Sequence, residues 1–275
     1  MITAKDIRVA PITRQAADAV VKRVHYSGKV VNNSQLHLGV FIGDRLEGAM
    51  QFGPSLCKKV IQPIVRDTAW NGFIELNRMA FGEALPRNSE SRALSVAFRM
   101  IKKHYPHIEW VISFADGAQC GDGTIYRASG FVLTGIKKNN SIWAAPEGET
   151  FSRTSLTDPS SHWQKSKARE IINRTTVTKG DHVSMTGAAS MKQYKEAGFA
   201  PIPGFQLRYI YFLNQSARER LTVPILPFSK IEEMGAGMYR SQKISRAKEQ
   251  ASGDHPDLGG ASPTRALHFD KQAAQ

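Results

Sequence analysis

A lone carboxylate, Asp116, stands where an apolar run ends in Ser113-Phe-Ala-Asp-Gly117. A phenol, Tyr126, follows in Gly123-Thr-Ile-Tyr-Arg-Ala-Ser-Gly-Phe131. The pattern reads as a buried strand, a loop, a short helix and a return strand. Strand ends in α/β folds are where ligands bind, so Asp116 can belong to a site, or it can cap the turn ahead of Gly117 as Asp often does. His25 can act as a base because imidazole titrates near neutrality; at a helix C-terminus the macrodipole alone would also favour it. Arg78 is unusual within the otherwise apolar Phe73-Ile-Glu-Leu-Asn-Arg-Met-Ala-Phe81. A buried guanidinium needs an anion, which Glu75 or a ligand phosphate can supply. Ser89 and Ser91 are ordinary N-cap types, and a cap can also bind phosphate.

These residues must be positioned by regular elements. A helix is predicted from about Thr13 to His25, with Thr13 as N-cap, an apolar stripe of Ala16, Val20 and Val24, and Gly28 as stop. Leu36–Ile42 and Leu46–Phe52 flank Gly43-Asp44 and predict a β-hairpin. A half-buried strand over Phe73–Phe81 leads through a polar loop into a helix ending near His104, whose apolar face is Leu94, Ala97, Phe98 and Ile101. Pro106 separates that helix from a strand at Trp110–Phe114, and further strands are expected at Phe131–Thr134 and Phe205–Leu213.

The 275 residues carry 37 Lys plus Arg against 24 Asp plus Glu, a formal charge of +13. A cation excess spread through a globular chain favours a polyanionic partner, most often nucleic acid. No apolar run approaches the roughly 20 residues of a membrane span, and the N-terminus has no apolar signal core, so a cytoplasmic protein is expected. Cys57 and Cys120 belong to no CxxC pattern and read as free thiols.

Residues 137–204 are polar and read as an insertion, with helices expected at Ser161–Asn173 and Ser190–Ala197 before the chain rejoins the sheet. Trp143 and Trp163 lie among Lys137, Lys138, Lys165, Lys167 and Arg169. Such a mixture suits phosphates and an unstacked base, or simply a solvated basic face. Tyr126–Phe131 and Tyr194–Phe199 look alike, as two helix stops often do. The expected organisation is one domain over 1–240 and a basic, loose tail over 241–275, where Gly, Ser, Asp and Pro dominate.

The order of elements resembles the GNAT acyltransferase fold, a mixed α/β sheet flanked by helices, and Tyr126-Arg-Ala-Ser-Gly-Phe131 is similar to the Tyr-x-x-x-Gly-Phe ending of that superfamily. More specifically, His25-Tyr-Ser-Gly28, Glu75-Leu-Asn-Arg-Met-Ala80, Asn88-Ser-Glu-Ser91, Phe114-Ala-Asp-Gly117 and Gly123-Thr-Ile-Tyr126 together resemble the Mom family of phage DNA-modification proteins. The resemblance implies transfer of a methylcarbamoyl group to the exocyclic N6 amine of adenine in double-stranded DNA, which shields phage DNA from host restriction. It implies that His25, Tyr26 and Asp116 occupy positions linked to iron; imidazole, phenolate and carboxylate suit iron or another transition metal. Arg78 and Ser91 match positions tied to an acyl-coenzyme A donor, and Tyr126 matches a tyrosine required for activity, as an acid or an orienting group. With Asp116 and His25 at the chemistry, Arg92 joins Arg78 and Ser91 in holding the donor. The sequence departs from ordinary GNAT enzymes at Arg87-Asn-Ser-Glu-Ser-Arg92, which lacks the glycines of their pyrophosphate loop. Either Arg87, Ser91 and Arg92 hold coenzyme A at the helix N-terminus, or the donor differs. Two other functions fit the same scaffold: acylation of an amine on RNA, protein or a small molecule, and DNA binding without catalysis.

Overall fold

The structure is a computed structural model, and it describes residues 2–25, 27–117, 121–157, 167–172, 174, 189–236, 238–239 and 242–243. In chain order the main strands are β1 (Ile7–Pro11), β2 (Leu36–Ile42), β3 (Arg45–Gly53), β4 (Phe73–Phe81), β5 (Trp110–Asp116) and β6 (Val132–Lys138). Three short strands follow, β7 (Ile142–Ala144), β8 (Thr150–Ser152) and β9 (Ala200–Pro201), before β10 (Phe205–Phe212). Seven of these form one mixed sheet in the order β1-β2-β3-β4-β5-β10-β6. Neighbours are antiparallel throughout, except that β4 and β5 run parallel. This is the mixed α/β sheet that the resemblance implies. Among the described residues, no helix is long and apolar enough to cross a membrane.

Two positions of the sheet differ from expectation. Strand β1 was not predicted: five residues, with an arginine and a terminal proline, give too short an alternation to register, yet it pairs with β2 from Ile7↔Ile42 to Pro11↔Leu38. Proline is tolerated there because the strand is an edge. Strand β10 lies between β5 and β6, so its Leu207, Tyr209 and Ile210 are fully buried.

The helices cover both faces. Helix α1 (Arg14–Val24) starts where Thr13 Oγ accepts the Ala16 amide at 3.2 Å, and Lys22 and Arg23 sit in its last turn, favourable for its dipole. Ala17, Val20 and Val21 pack on Ala49 and Ala80; the buried stripe is turned by about one residue from the predicted one. A short helix, α2 (Lys58–Ile61), leads into a 3-10 turn over Gln62–Ile64. Helix α3 (Ser89–His104) connects β4 to β5 and buries Leu94, Ala97, Phe98 and Ile101, the predicted face. Helix α4 (Thr124–Ala128) follows β5.

The expected insertion builds a small antiparallel sheet, β8-β7-β9, with its own core. Around it lie α5 (Arg153–Thr157), a helical stretch over 167–172 (α6), and α7 (Met191–Glu196), which starts with a capping box between Ser190 and Gln193. Trp143 is part of this core at 2% exposure, its Nε1 donating to the Asn140 carbonyl at 3.1 Å. The expectation that Trp143 contacts an unstacked base is therefore corrected: Lys137 and Lys138 lie nearby in sequence, but its ring is buried in the core of the small sheet. Trp163 and Lys165 lie outside the described residues. Arg169 is buried and so forms no part of an open basic face, whereas Lys167 is exposed and pairs with Glu149 at 2.6 Å.

The two similar hexapeptides are the same helix stop. Gly130 and Gly198 both have φ +84. The following phenylalanine amides donate back to the Tyr126 and Tyr194 carbonyls at 3.1 and 2.9 Å. Each Tyr–Phe pair then packs edge-on with centroids 5.2 Å apart. This six-to-one bond with a left-handed glycine is a Schellman stop, so the likeness reflects local geometry and not a repeated domain. Past the last core strand come α8 (Gln215–Glu219) and α9 (Ser229–Glu233), and Met238–Tyr239, at the end of the expected domain, pairs with Gln242–Lys243, at the start of the stretch expected to loosen. Residues from 244 onward lie outside the described residues.

One contact fixes where β4 meets β5. Phe73 and Trp110 are opposite each other in the register and stack at 4.4 Å, 6° from parallel, while Trp110 Nε1 donates to Thr68 Oγ1 at 3.1 Å. Trp110→Ala is expected to cost about 3–5 kcal/mol of unfolding free energy, measured by urea titration. A loss below about 1 kcal/mol would show that the stack does not hold the junction.

Candidate active site

Strands β4 and β5 share the pairs Phe73↔Trp110, Ile74↔Val111 and Glu75↔Ile112, and then part. Strand β5 continues to Asp116 by pairing with β10, Gln206 opposite Asp116. Strand β4 continues along β3 but carries an extra residue: Phe52 pairs with Leu76 and Gln51 with Arg78, leaving Asn77 as a bulge. A bulge bends and twists its strand, which carries β4 away from β5. Gly53 makes room for it, since a Cβ there would sit 2.7 Å from Asn77 Oδ1 and 2.2 Å from the Asn33 carbonyl.

The parting strands floor a cleft of about 1120 Å³. Its walls are the turn after α1, the Ser55–Ile61 segment and the edge of the small sheet. Ile74 and Leu76 join the core beneath α3, whereas Glu75 and Asn77 face the cleft, as do Asp116 and Phe114 of β5 and Gln206 and Arg208 of β10. The strand-end position expected for Asp116 is thus observed. At the start of α4 another carboxylate, Asp122, accepts from the Thr124 amide and Oγ1 at 3.2 and 2.8 Å and from Arg127 at 3.1 Å.

Arg78 also lines the cleft, and its Nε donates to the Lys29 carbonyl at 3.0 Å, tying β4 to the segment after α1. His25 ends α1. Its Nδ1 lies 2.9 Å from Ser27 Oγ and accepts the Ser27 amide at 3.2 Å. Burial first, and then the Arg78 charge, hold its pKa down to about 4, so the imidazole is neutral at pH 7 despite its place at a helix C-terminus. Tyr26 lies outside the described residues.

The remaining expected residues lie elsewhere. Ser91 and Arg92 sit on the first turn of α3 and line a separate cleft of about 440 Å³ with Asn88, Ser95, Ser129 and Tyr211. Ser89 does not cap α3; its Oγ donates to the Pro86 carbonyl at 2.6 Å, and Asn88 takes the N-cap position with φ 70. Asparagine tolerates the left-handed region without glycine, so this turn forms although the glycines are missing. Tyr126 borders neither cleft: its ring packs against Phe131 and Tyr209, both at 5.2 Å.

Two cleft residues were not singled out from sequence as site groups. Glu75 was read only as one of two anions, with a ligand phosphate, that could partner Arg78; Ser55 and Asn77 hydrogen-bond its carboxyl, and burial raises its pKa against these bonds and the Arg78 charge. Arg208 lies in a strand whose apolar neighbours hid it, and burial lowers its pKa. Its Nε and Nη2 donate to Thr134 Oγ1 and the Thr134 carbonyl at 3.0 and 2.7 Å, fixing the guanidinium beside the cleft.

The expected metal set of His25, Tyr26 and Asp116 includes one residue, Tyr26, outside the described ones. Among the described residues, no group of three or more His, Cys, Asp or Glu side chains can hold an ion. With Nδ1 accepting the Ser27 amide, the proton of neutral His25 resides on Nε2, which in that tautomer offers a hydrogen bond and no lone pair.

Residues 6–230 match the Mom protein family. The methylcarbamoylase mom of Escherichia phage Mu is 35% identical over 222 residues, covering 80% of this chain and 81% of the phage protein. Among solved structures, an IAA acetyltransferase from Bacillus cereus superposes with a TM-score of 0.38 at 10% identity, over 75% of this chain and 99% of the other. The ribosomal-protein-S18-alanine N-acetyltransferase of Escherichia coli gives a TM-score of 0.35 at 11% identity, over 52% and 88%. The family match spans the strands, the bulge and both carboxylates of the large cleft, and on it and the phage relative the chain belongs to the Mom protein family.

Proposed function

We propose that this protein is a DNA-modification enzyme that transfers a methylcarbamoyl-type group to the exocyclic N6 amine of adenine in double-stranded phage DNA, protecting it from host restriction. The observation that carries the reading is a cleft holding two carboxylates, Glu75 and Asp116, in a chain 35% identical to a phage methylcarbamoylase. The cleft, about 1120 Å³, is large enough for a nucleobase with its sugar and phosphate. In this reading residues 1–240 act as one catalytic domain carrying the 137–204 insertion, and 241–275 form a basic tail.

Adenine N6 is a poor nucleophile because its lone pair is conjugated with the ring. Attack therefore requires that a proton leave nitrogen as the new N–C bond forms, and a carboxylate within reach of that proton lowers the barrier. Asp116, at the open end of β5, takes this proton. Glu75, fixed by Ser55 and Asn77, accepts the second N6 hydrogen and orients the amine. Neutral His25 contributes a hydrogen bond and no charge. Arg78 and Arg208 are cations for the negative charge that develops on the acyl oxygen.

A coenzyme A-type donor, when bound, supplies an acyl carbon activated by a good leaving group. Ser91 and Arg92, on the first turn of α3, and Arg78 across the sheet are the residues that would hold it. Tyr126 enters this reading as a positioning residue that packs α4 against β10. The described residues complete no metal set, and no step passes through one.

Glu75 gives the reading a pH signature. Its folded carboxyl binds a proton more tightly than an unfolded glutamate, so its contribution to stability is present at low pH and is lost as pH rises through the folded value. Comparing urea midpoints at about pH 4 and about pH 8, wild type should lose more stability than Glu75→Gln; equal losses would refute the buried-carboxylate assignment. The function itself is tested by expressing the chain in bacteria and digesting total DNA to nucleosides. Mass spectrometry should reveal a heavier deoxyadenosine, reduced about 100-fold or more by Asp116→Asn. Only unmodified deoxyadenosine from wild type would overturn the reading, and undiminished modification by Asp116→Asn would overturn the residue's role.

A further inference from the structure

The segment between β3 and β4 presents apolar side chains to solvent at the mouth of the cleft. Leu56 is 83% exposed and Val60 72%, and both line the cleft that holds Glu75 and Asp116. A single exposed leucine needs no explanation. These two stand together on a segment that is otherwise firmly seated. Ser55 and Ile61 are buried, and Ile61 belongs to the core that contains Phe73 and Trp110. The Cys57 carbonyl accepts the Val60 and Ile61 amides at 2.9 and 3.0 Å, closing the turn. The result is an apolar knob, anchored by the buried Ser55 and Ile61, at the mouth of the cleft.

Cations surround the knob. Lys59 is exposed, and Lys58 lies 4.5 Å over the ring of Trp70 and bonds Asn71 Oδ1 at 3.2 Å. Trp70 itself is 54% exposed. Lys29 and Lys137 line the same cleft. Apolar tips flanked by lysines, in a chain of charge +13, complement a partner with a charged backbone and apolar faces inside. Duplex DNA has that composition: phosphates outside, stacked bases within.

We propose that Leu56 and Val60 form a wedge that enters the base stack of duplex DNA and holds the target adenine outside the helix, over Glu75 and Asp116. The inference rests on the adenine-modification reading. In a duplex the N6 amine is paired and stacked, so it reaches a cleft only after extrusion, and apolar side chains pushed between base steps are a general means of unstacking. Lys58 and Lys59 hold the neighbouring phosphates, and Trp70 offers a flat face beside them.

The test uses Leu56→Ala/Val60→Ala, which alters only exposed side chains, and Leu56→Phe/Val60→Ile, which keeps an apolar tip. Purified full-length proteins are bound to a duplex oligonucleotide in which 2-aminopurine, fluorescent when unstacked, replaces one adenine. Wild type and the enlarged variant should raise the fluorescence several-fold. The alanine variant should bind within about threefold of the wild-type Kd, since phosphate contacts carry most affinity, without that rise. In cells its yield of modified deoxyadenosine should fall about tenfold or more. A wedge is overturned if the alanine variant unstacks the probe as wild type does, or modifies cellular DNA equally well. It is also overturned if wild type is a dimer in solution and the alanine variant a monomer, because the patch then covers a second copy. Failure of the underlying reading looks different: wild type itself leaves cellular DNA unmodified.

Discussion

The site depends on a backbone hydrogen-bonding constraint. Each strand of a sheet must place its amides and carbonyls, and β4 and β5 satisfy theirs together for only three residue pairs before turning to other partners. Strand β5 continues on β10 and β4 continues on β3. Neither is left wholly unpaired, so the gap between them costs little, yet it opens in the centre of the sheet. A cleft formed in this way has rigid walls: both strands are held along their outer edges by full antiparallel ladders. The Phe73–Trp110 stack closes the narrow end and the Asn77 bulge spreads the wide one.

That geometry also governs the charges. A carboxylate at Glu75 lies near the junction, where the strands are still close and burial is deep. One at Asp116 lies where they have parted. The same residue chemistry therefore meets two environments, and at Glu75 burial raises the proton affinity. The Ser55 and Asn77 hydrogen bonds restrain the shift at Glu75 without cancelling it, because burial is the larger cause. His25 experiences burial too, but beside a cation instead of within hydrogen bonds to a charged form, and it loses its charge.

Much of this was legible in the chain. Alternation of apolar residues located β2 to β6, β10 and the face of α3, because those elements are long and half-buried or fully buried. Strand β1 was not legible: at a sheet edge, five residues and a proline leave no periodic signal. Asp116 was recognisable because a carboxylate ending an apolar run has a restricted set of roles, whereas Glu75 was hidden by Arg78 three residues away, which offered a simpler pairing. Trp143 misled for the opposite reason. Lysines in the neighbouring sequence said nothing of the three short strands that bury its ring, since β9 joins that sheet from more than fifty residues away.

The helix that joins the two parting strands places the remaining residues at a distance. Helix α3 lies under the sheet with Ile74 and Leu76, so Ser91 and Arg92 open onto a cleft of their own. The chain's cations line both: Arg78 and Arg208 stand beside the carboxylates, Arg92 at the start of α3, and the two clefts share no lining residue. The broken ladder thus opens one cleft on its own face of the sheet, where the Asn77 bulge spreads β4 away from β5.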